Sequence, residues 1–298
     1  MKTFKKILVP LDGSELAERV VLPAIRLAEA IRADMMLLTV VSPLPRPDHA
    51  DTVEGVVQTR RYEAGLYLKG VRNRFLPSSA AVETAVLSGP AAQTIITYAK
   101  EQAVDLIIMT THGRSGLTRW TLGRVAEKVL RRAPCPTVIL RSEQALAPEH
   151  IRRVLLPLDG SPLAEAVLEP TLTVARDLQA EVLLLRVIEP VVPFARGLEE
   201  TAVSPSELQT AQAYLEKVRQ NLQSWGVKTS CQVAAGPAAE AIIDFADANQ
   251  IDLIVLSSLG SSGFQFWLFG SVAERVMKNA HCATMVVRHE EAGQTGAN

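Results

Sequence analysis

The stretch ILVPLDGS at residues 7–14 returns as VLLPLDGS at residues 154–161, 147 residues further on. SGPAAQTIITYA (88–99) returns as AGPAAEAIIDFA (235–246), and GRSGLTRWTLGRVAEKVLRRAPCPT (113–137) as GSSGFQFWLFGSVAERVMKNAHCAT (260–284), both at the same 147-residue shift. One constant shift across three separated segments means that the two copies differ by no net insertion or deletion. The chain is therefore read as two homologous domains, 1–141 and 151–289. A polar linker, SEQALAPEH (142–150), joins them, and the tail 290–298 is expected to be disordered.

Within each copy strand and helix patterns alternate. Residues 5–11 form a short β-branched and leucine-rich run, as expected of a strand buried on both faces. Asp-Gly-Ser then turns the chain, with Ser14 placed to cap a helix over 15–31. Strands are expected at 34–41, 81–87, 104–110 and 136–140, and helices over 57–75, from Gly89-Pro90 onward and after Gly123. In the second copy the strands fall near 152–158, 181–188, 228–234, 252–257 and 283–288. Five strands alternating with four helices imply a doubly wound, Rossmann-like α/β fold, twice over. Each domain is expected to hold a five-stranded parallel sheet in the order 3-2-1-4-5. The crevice would then open beyond the ends of the first and fourth strands, where the winding reverses.

The bulk of the chain narrows the function classes. Its 31 basic and 32 acidic residues leave a net charge of -1, so no broad nucleic-acid surface is expected. No apolar stretch reaches the roughly 18–20 residues that span a bilayer, so no membrane partner is expected either. Cys135, Cys231 and Cys282 are too few and too scattered for a disulfide framework or a zinc site. Cys135 and Cys282 are read as small core residues. These features fit a reduced, cytoplasmic protein with no metal held by protein ligands alone.

The loop THGRSGLTRWTLGR (111–124) links the fourth strand to the most regular helical pattern. A helix N-terminus offers unpaired N–H groups and partial positive charge, and glycine lets the backbone approach a phosphate closely. Gly113 and Gly123 bracket an excursion long enough to fold over a triphosphate. The same residues also serve as plain turns, Gly123 simply allowing close packing, and spacing alone does not decide between the two.

Taken together, ILVPLDGS, MTTHGRSGL, a glycine nine residues on and VAEKVLRRAPCPTVIL resemble a universal stress protein domain, along nearly the whole chain and twice. The nucleotide-binding members of that family carry G-x2-G-x9-G-[S/T] and bind ATP. An aspartate after the first strand and residues ending the second hold the adenine. The resemblance implies ATP, with Mg²⁺ on its phosphates, as cofactor. In the first domain it implies Pro10, Asp12, Val40, Thr110, His112, Gly113, Gly123 and Arg124 as site residues. In the second it implies Pro157, Asp159, Val187, Ser257, Gly260, Gly270 and Ser271. Thr110 and Ser257 stand where the first glycine belongs, Arg124 replaces the final hydroxyl, and Leu259 replaces His112's counterpart. Arg124 is placed either to meet phosphate or to block the helix end.

The turn chemistry of Asp-Gly-Ser would place Asp12 and Asp159 as they are without any ligand. Trp120 and Trp267 match each other; the apolar FQFWLF suggests packing there against the other domain or another chain. No Walker A sequence and no nucleophile–base set is present. The reading is a stress-response or regulatory protein that binds ATP in one or both domains, with little or no hydrolysis. The alternative is an interaction or small-ligand module whose pockets have departed from nucleotide binding. The resemblance also implies an intramolecular pseudo-dimer, with 136–140 beside 283–288, and leaves further homodimerisation open.

Overall fold

The computed structural model describes residues 3–42, 50–75, 78–111, 122–141, 151–190, 203–258 and 270–288. The first half runs β1 (Lys6–Pro10), α1 (Glu15–Glu18), α2 (Val21–Ile31), β2 (Asp34–Val41), α3 (Ala50–Arg74), β3 (Val82–Ser88), α4 (Ala91–Glu101), β4 (Leu106–Thr110), α5 (Arg124–Arg132) and β5 (Thr137–Leu140). The second half repeats it as β6 (Arg153–Pro157), α6 (Pro162–Glu165), α7 (Leu168–Asp177), β7 (Glu181–Ile188), α8 (Pro205–Ser224), β8 (Thr229–Ala235), α9 (Ala238–Ala248), β9 (Leu253–Ser257), α10 (Ser271–Asn279) and β10 (Ala283–Val287).

The helix expected over 15–31 is two helices, α1 and α2, and the second half divides its own at the same place. Pro23 and Pro170 explain the break. Proline has no N–H to give the carbonyl four residues back, and its ring crowds that carbonyl. The chain therefore restarts, with the proline inside the first turn of the new helix. Ser14 and Ser161 cap as expected, each accepting a 3.1 Å bond from the N–H three residues on. Pro90 and Pro237 sit at the N-cap itself, one position before the first turn.

Each half orders its strands 3-2-1-4-5, and the two sheets merge into one of ten strands, β3-β2-β1-β4-β5-β10-β9-β6-β7-β8. Pairing is parallel within each half. At the seam β5 and β10 run antiparallel, Met285 opposite Val138. This joins two edges that would otherwise present unpaired backbone groups. Successive strand residues feed opposite layers. Ile7 and Val9 enter a core shared with Val154 and Leu156 of the other half, while Leu8 and Leu155 enter separate cores beneath the helices of the opposite face.

Two reciprocal contacts express the internal two-fold relation. Arg141 Nη1 donates to the Ala280 carbonyl at 3.1 Å, and Arg288 Nη1 to the Ala133 carbonyl at 3.2 Å. Each guanidinium thus meets the C-terminal end of the other half's helix, α10 or α5, where a cation is favoured.

At the amino ends of the strands, Asp105 Oδ2 accepts the N–H groups of Lys5 and Lys6 at 2.9 and 3.2 Å. Asp252 Oδ2 accepts those of Arg152 and Arg153, both at 2.9 Å. One carboxylate so anchors the start of the first strand to the fourth. Asp252→Ala should lower unfolding free energy by about 1–2 kcal/mol, read from the urea midpoint. An unchanged midpoint would show these bonds to be no better than bonds to water.

Candidate functional site

β1 and β6 each have the second strand on one side and the fourth on the other, so the winding reverses beside them. In the second half a cavity of about 490 Å³ opens there. Pro157, Asp159, Val187, Ser257, Gly270 and Ser271 all line it. Residues that the family resemblance grouped thus surround one space, at the crevice that strand order places there. Its volume is within the ordinary range of small-molecule sites, about 300–1,000 Å³.

The end nearer β9 is a helix mouth. Gly270 N–H donates to the Ser258 carbonyl at 3.0 Å, tying the cap of α10 to the residue that follows β9. Gly270 is the N-cap of α10, with φ -60 and ψ 145 and no side-chain cap. Among the described residues a Cβ built at Gly270 would meet nothing within 4 Å, so space is open beside the cap on their side. The first-turn N–H groups of α10, at Ser271 and the two residues after it, have no partner four residues back within the helix. An open space before amides of this kind fits an anion.

The opposite end is set by Asp159 and the close of β7. Asp159 Oδ1 accepts the Ser161 N–H at 2.9 Å and the Ser161 hydroxyl at 2.6 Å. The turn chemistry therefore holds, and it fixes the carboxylate's direction at the cavity wall. Val187 lies beside Ala238 and Ile242 of α9, an apolar slot with Leu256 below.

The first half repeats the frame. Asp12 Oδ1 accepts from Ser14 N–H and hydroxyl at 3.0 and 2.6 Å. Gly123 N–H donates to Thr111 at 2.8 Å, and Gly123 caps α5 with φ -62, ψ 144 and no side-chain bond. Pro10 ends β1, Val40 lies near the end of β2 and Thr110, 7% exposed, ends β4. Arg124 is the first residue of α5 and is exposed. His112, Gly113 and Gly260, with Leu259, Trp120 and Trp267, lie outside the described residues.

Several residues at the site were not anticipated. Glu189 lines the cavity and its Oε1 accepts the Ala238 N–H at 2.9 Å, supplying α9 with the cap that Pro237 cannot. Arg186 lines it as well and donates from Nη1 to the Leu158 carbonyl at 3.3 Å. Tyr214 on α8 donates to Glu165 at 3.1 Å; burial first, then that carboxylate, raises its phenol well above the ordinary tyrosine range. In the first half burial first, then the Glu18 carboxylate, raises the Tyr67 phenol in the same direction, although its buried hydroxyl has no hydrogen-bond partner among the described residues. The signals were present in the sequence: an arginine inside the apolar run VLLLRVI, and a Tyr and a Glu that each recur at the repeat spacing.

Among the described residues no group of three or more His, Cys, Asp and Glu side chains is placed to hold a metal. None of their helices is long and apolar enough to cross a membrane. Cys135 is buried, Cys231 is exposed, and burial pushes the Cys282 thiol up to about 12. Iodoacetamide at neutral pH should therefore label Cys231 first and the other two only on unfolding, a pattern mass spectrometry of the peptides would read. Early labelling of Cys282 would contradict its placement.

Fold and crevice define the class: a twinned, doubly wound α/β protein with a ligand-sized cavity at a switch point. The chain belongs to the universal stress protein family, whose model matches residues 3–141 and again 150–288. A universal stress protein of Mycolicibacterium smegmatis is 26% identical over 299 residues, covering 95% of this chain and 96% of that one. One from Methanocaldococcus jannaschii is 36% identical over 141 residues, 46% of this chain and 82% of the relative. The crystal structure of a universal stress protein from Archaeoglobus fulgidus shares the fold, with a TM-score of 0.76 at 19% identity over 96% of this chain and 99% of that one.

Proposed function

We propose that this protein binds ATP, with Mg²⁺ carried on the phosphates, in one or both halves, and acts in stress response as a nucleotide-dependent regulator with little or no hydrolysis. The observation that carries the reading is the second-half cavity, which has the N-terminus of α10 at one end and Asp159 with Val187 at the other. The phosphates would lie before the amides of Ser271 and its successors, where backbone N–H groups and the helix dipole favour negative charge. Ser271 would add a hydroxyl there. The base would enter the slot between Val187 and α9, with Asp159 receiving donors from base or ribose. In the first half Asp12, Val40, Gly123 and the loop bearing His112 and Gly113 would do the same, Arg124 adding charge at the phosphate end.

The test is what the purified chain carries and takes up. Absorbance near 260 nm with an adenine nucleotide mass near stoichiometry, or saturable heat on titration with Mg·ATP, is expected. A clean protein that gives no heat with Mg·ATP would favour instead an interaction or small-ligand module built on the same frame.

A further inference from the structure

A second cleft of about 470 Å³ lies beside the first, between α8 and the ends of β6 and β7. Asp159, Arg186 and Ile188 line both, so the two spaces adjoin at the end of the site where the base and ribose would lie. None of the residues lining this compartment belongs to α10, whose mouth would hold the phosphates. On α8 the wall mixes Ser206, Thr210 and Tyr214, hydroxyls at intervals of four, with the apolar Ala211.

The charges there are unevenly spent. Glu207 Oε2 accepts the Ser204 N–H and hydroxyl at 3.0 and 2.8 Å, Glu165 accepts from Tyr214, and Asp159 from Ser161. Each carboxylate is thus already engaged by a protein donor. Arg186 has five N–H donors and, among the described residues, one hydrogen bond, to Leu158. Its guanidinium also lowers the Tyr214 phenol against the larger raising effects, which places it near the hydroxyl stripe. The group with donors to offer is therefore a cation at the junction of two spaces, with a hydroxyl-lined compartment beyond it.

Among the described residues the first half lacks this arrangement. Thr39 stands where Arg186 does, 8% exposed, its hydroxyl oxygen buried without a hydrogen-bond partner among the described residues. The cation near its Tyr67–Glu18 pair comes instead from Arg74, which is bonded to Glu18.

We infer that the second half accepts a nucleotide extended at its ribose by a phosphodiester-linked second nucleoside, the phosphodiester on Arg186 and the second sugar in the cleft beneath α8. This rests on the nucleotide reading of the main cavity. A planar guanidinium is suited to a phosphodiester, and the hydroxyls of a sugar match a wall that mixes donors with acceptors.

The test compares two probes by calorimetry on the full chain: adenosine 5′-monophosphate and the linear dinucleotide 5′-phosphoadenylyl-(3′→5′)-adenosine. The dinucleotide should bind tighter by about tenfold or more, the effect of a charge-assisted hydrogen bond. Arg186→Thr installs the first half's own residue, and Thr210→Trp fills the cleft from the exposed face of α8. In both variants the ratio of the two affinities should fall to about one. Equal affinities in the parent, or a ratio that survives in both variants, would overturn the inference and leave the nucleotide reading standing. Binding of neither probe, nor of Mg·ATP, would remove both.

Discussion

Gly270→Val should weaken nucleotide binding in the second half by about 100-fold or more while leaving the fold intact. The residue's backbone, φ -60 and ψ 145, is one that valine adopts without strain. A Cβ there meets no atom of the described residues within 4 Å, so among them the new side chain enters open space rather than the core. That space is where phosphate oxygens would approach the α10 amides, and two lost hydrogen bonds to a charged group are worth about 3–6 kcal/mol. The melting temperature should stay near that of the parent while the calorimetric signal of the second site vanishes. An unchanged affinity would mean that the phosphates, if bound, lie elsewhere. Gly123→Val is the equivalent change in the first half, where Gly123 has nearly the same dihedral angles.

Met285→Asp should destabilise the protein by about 4 kcal/mol or more. Met285 is 0% exposed and sits opposite Val138 at the antiparallel seam that joins the two sheets. A carboxylate placed there loses its hydration among apolar neighbours such as Leu106, Val138 and Leu253. The seam is also where one core passes between halves, Met285 sharing a cluster with Ile7 on one side and Val154 on the other. The parent should accordingly unfold in a single transition in urea, and the variant should show a far lower midpoint or two separate steps. A variant with the parent's midpoint would mean that the halves fold without each other and that the seam contributes little.

The inner strands were readable because burial on both faces demands unbroken apolar runs, and each run is written twice at one spacing. Residues 34–41 and 181–188 were placed to the residue. The divided helix was harder, since the apolar spacing of 15–31 continues across Pro23; the pattern records which face is buried, whereas the break follows from one missing N–H. The main cavity followed from topology, because the switch point depends only on strand order. The compartment under α8 did not. It arises from how far a helix stands off two strand ends, and no local pattern encodes that distance. Arg186 was visible as a charge inside an apolar run, yet its meaning depended on Tyr214 and Leu158, which come near it only in the folded chain.

In the proposed reading the first-turn amides of α10 grip the phosphates of ATP. Amide chemical shifts recorded during a titration with Mg·ATP examine those N–H groups themselves. Ser271, Val272 and Ala273 should move downfield and saturate together, with Asp159 and Val187 shifting at the same midpoint. Saturating nucleotide that leaves these amides, and those of Arg124 and Val125 in the first half, where they were would contradict the account.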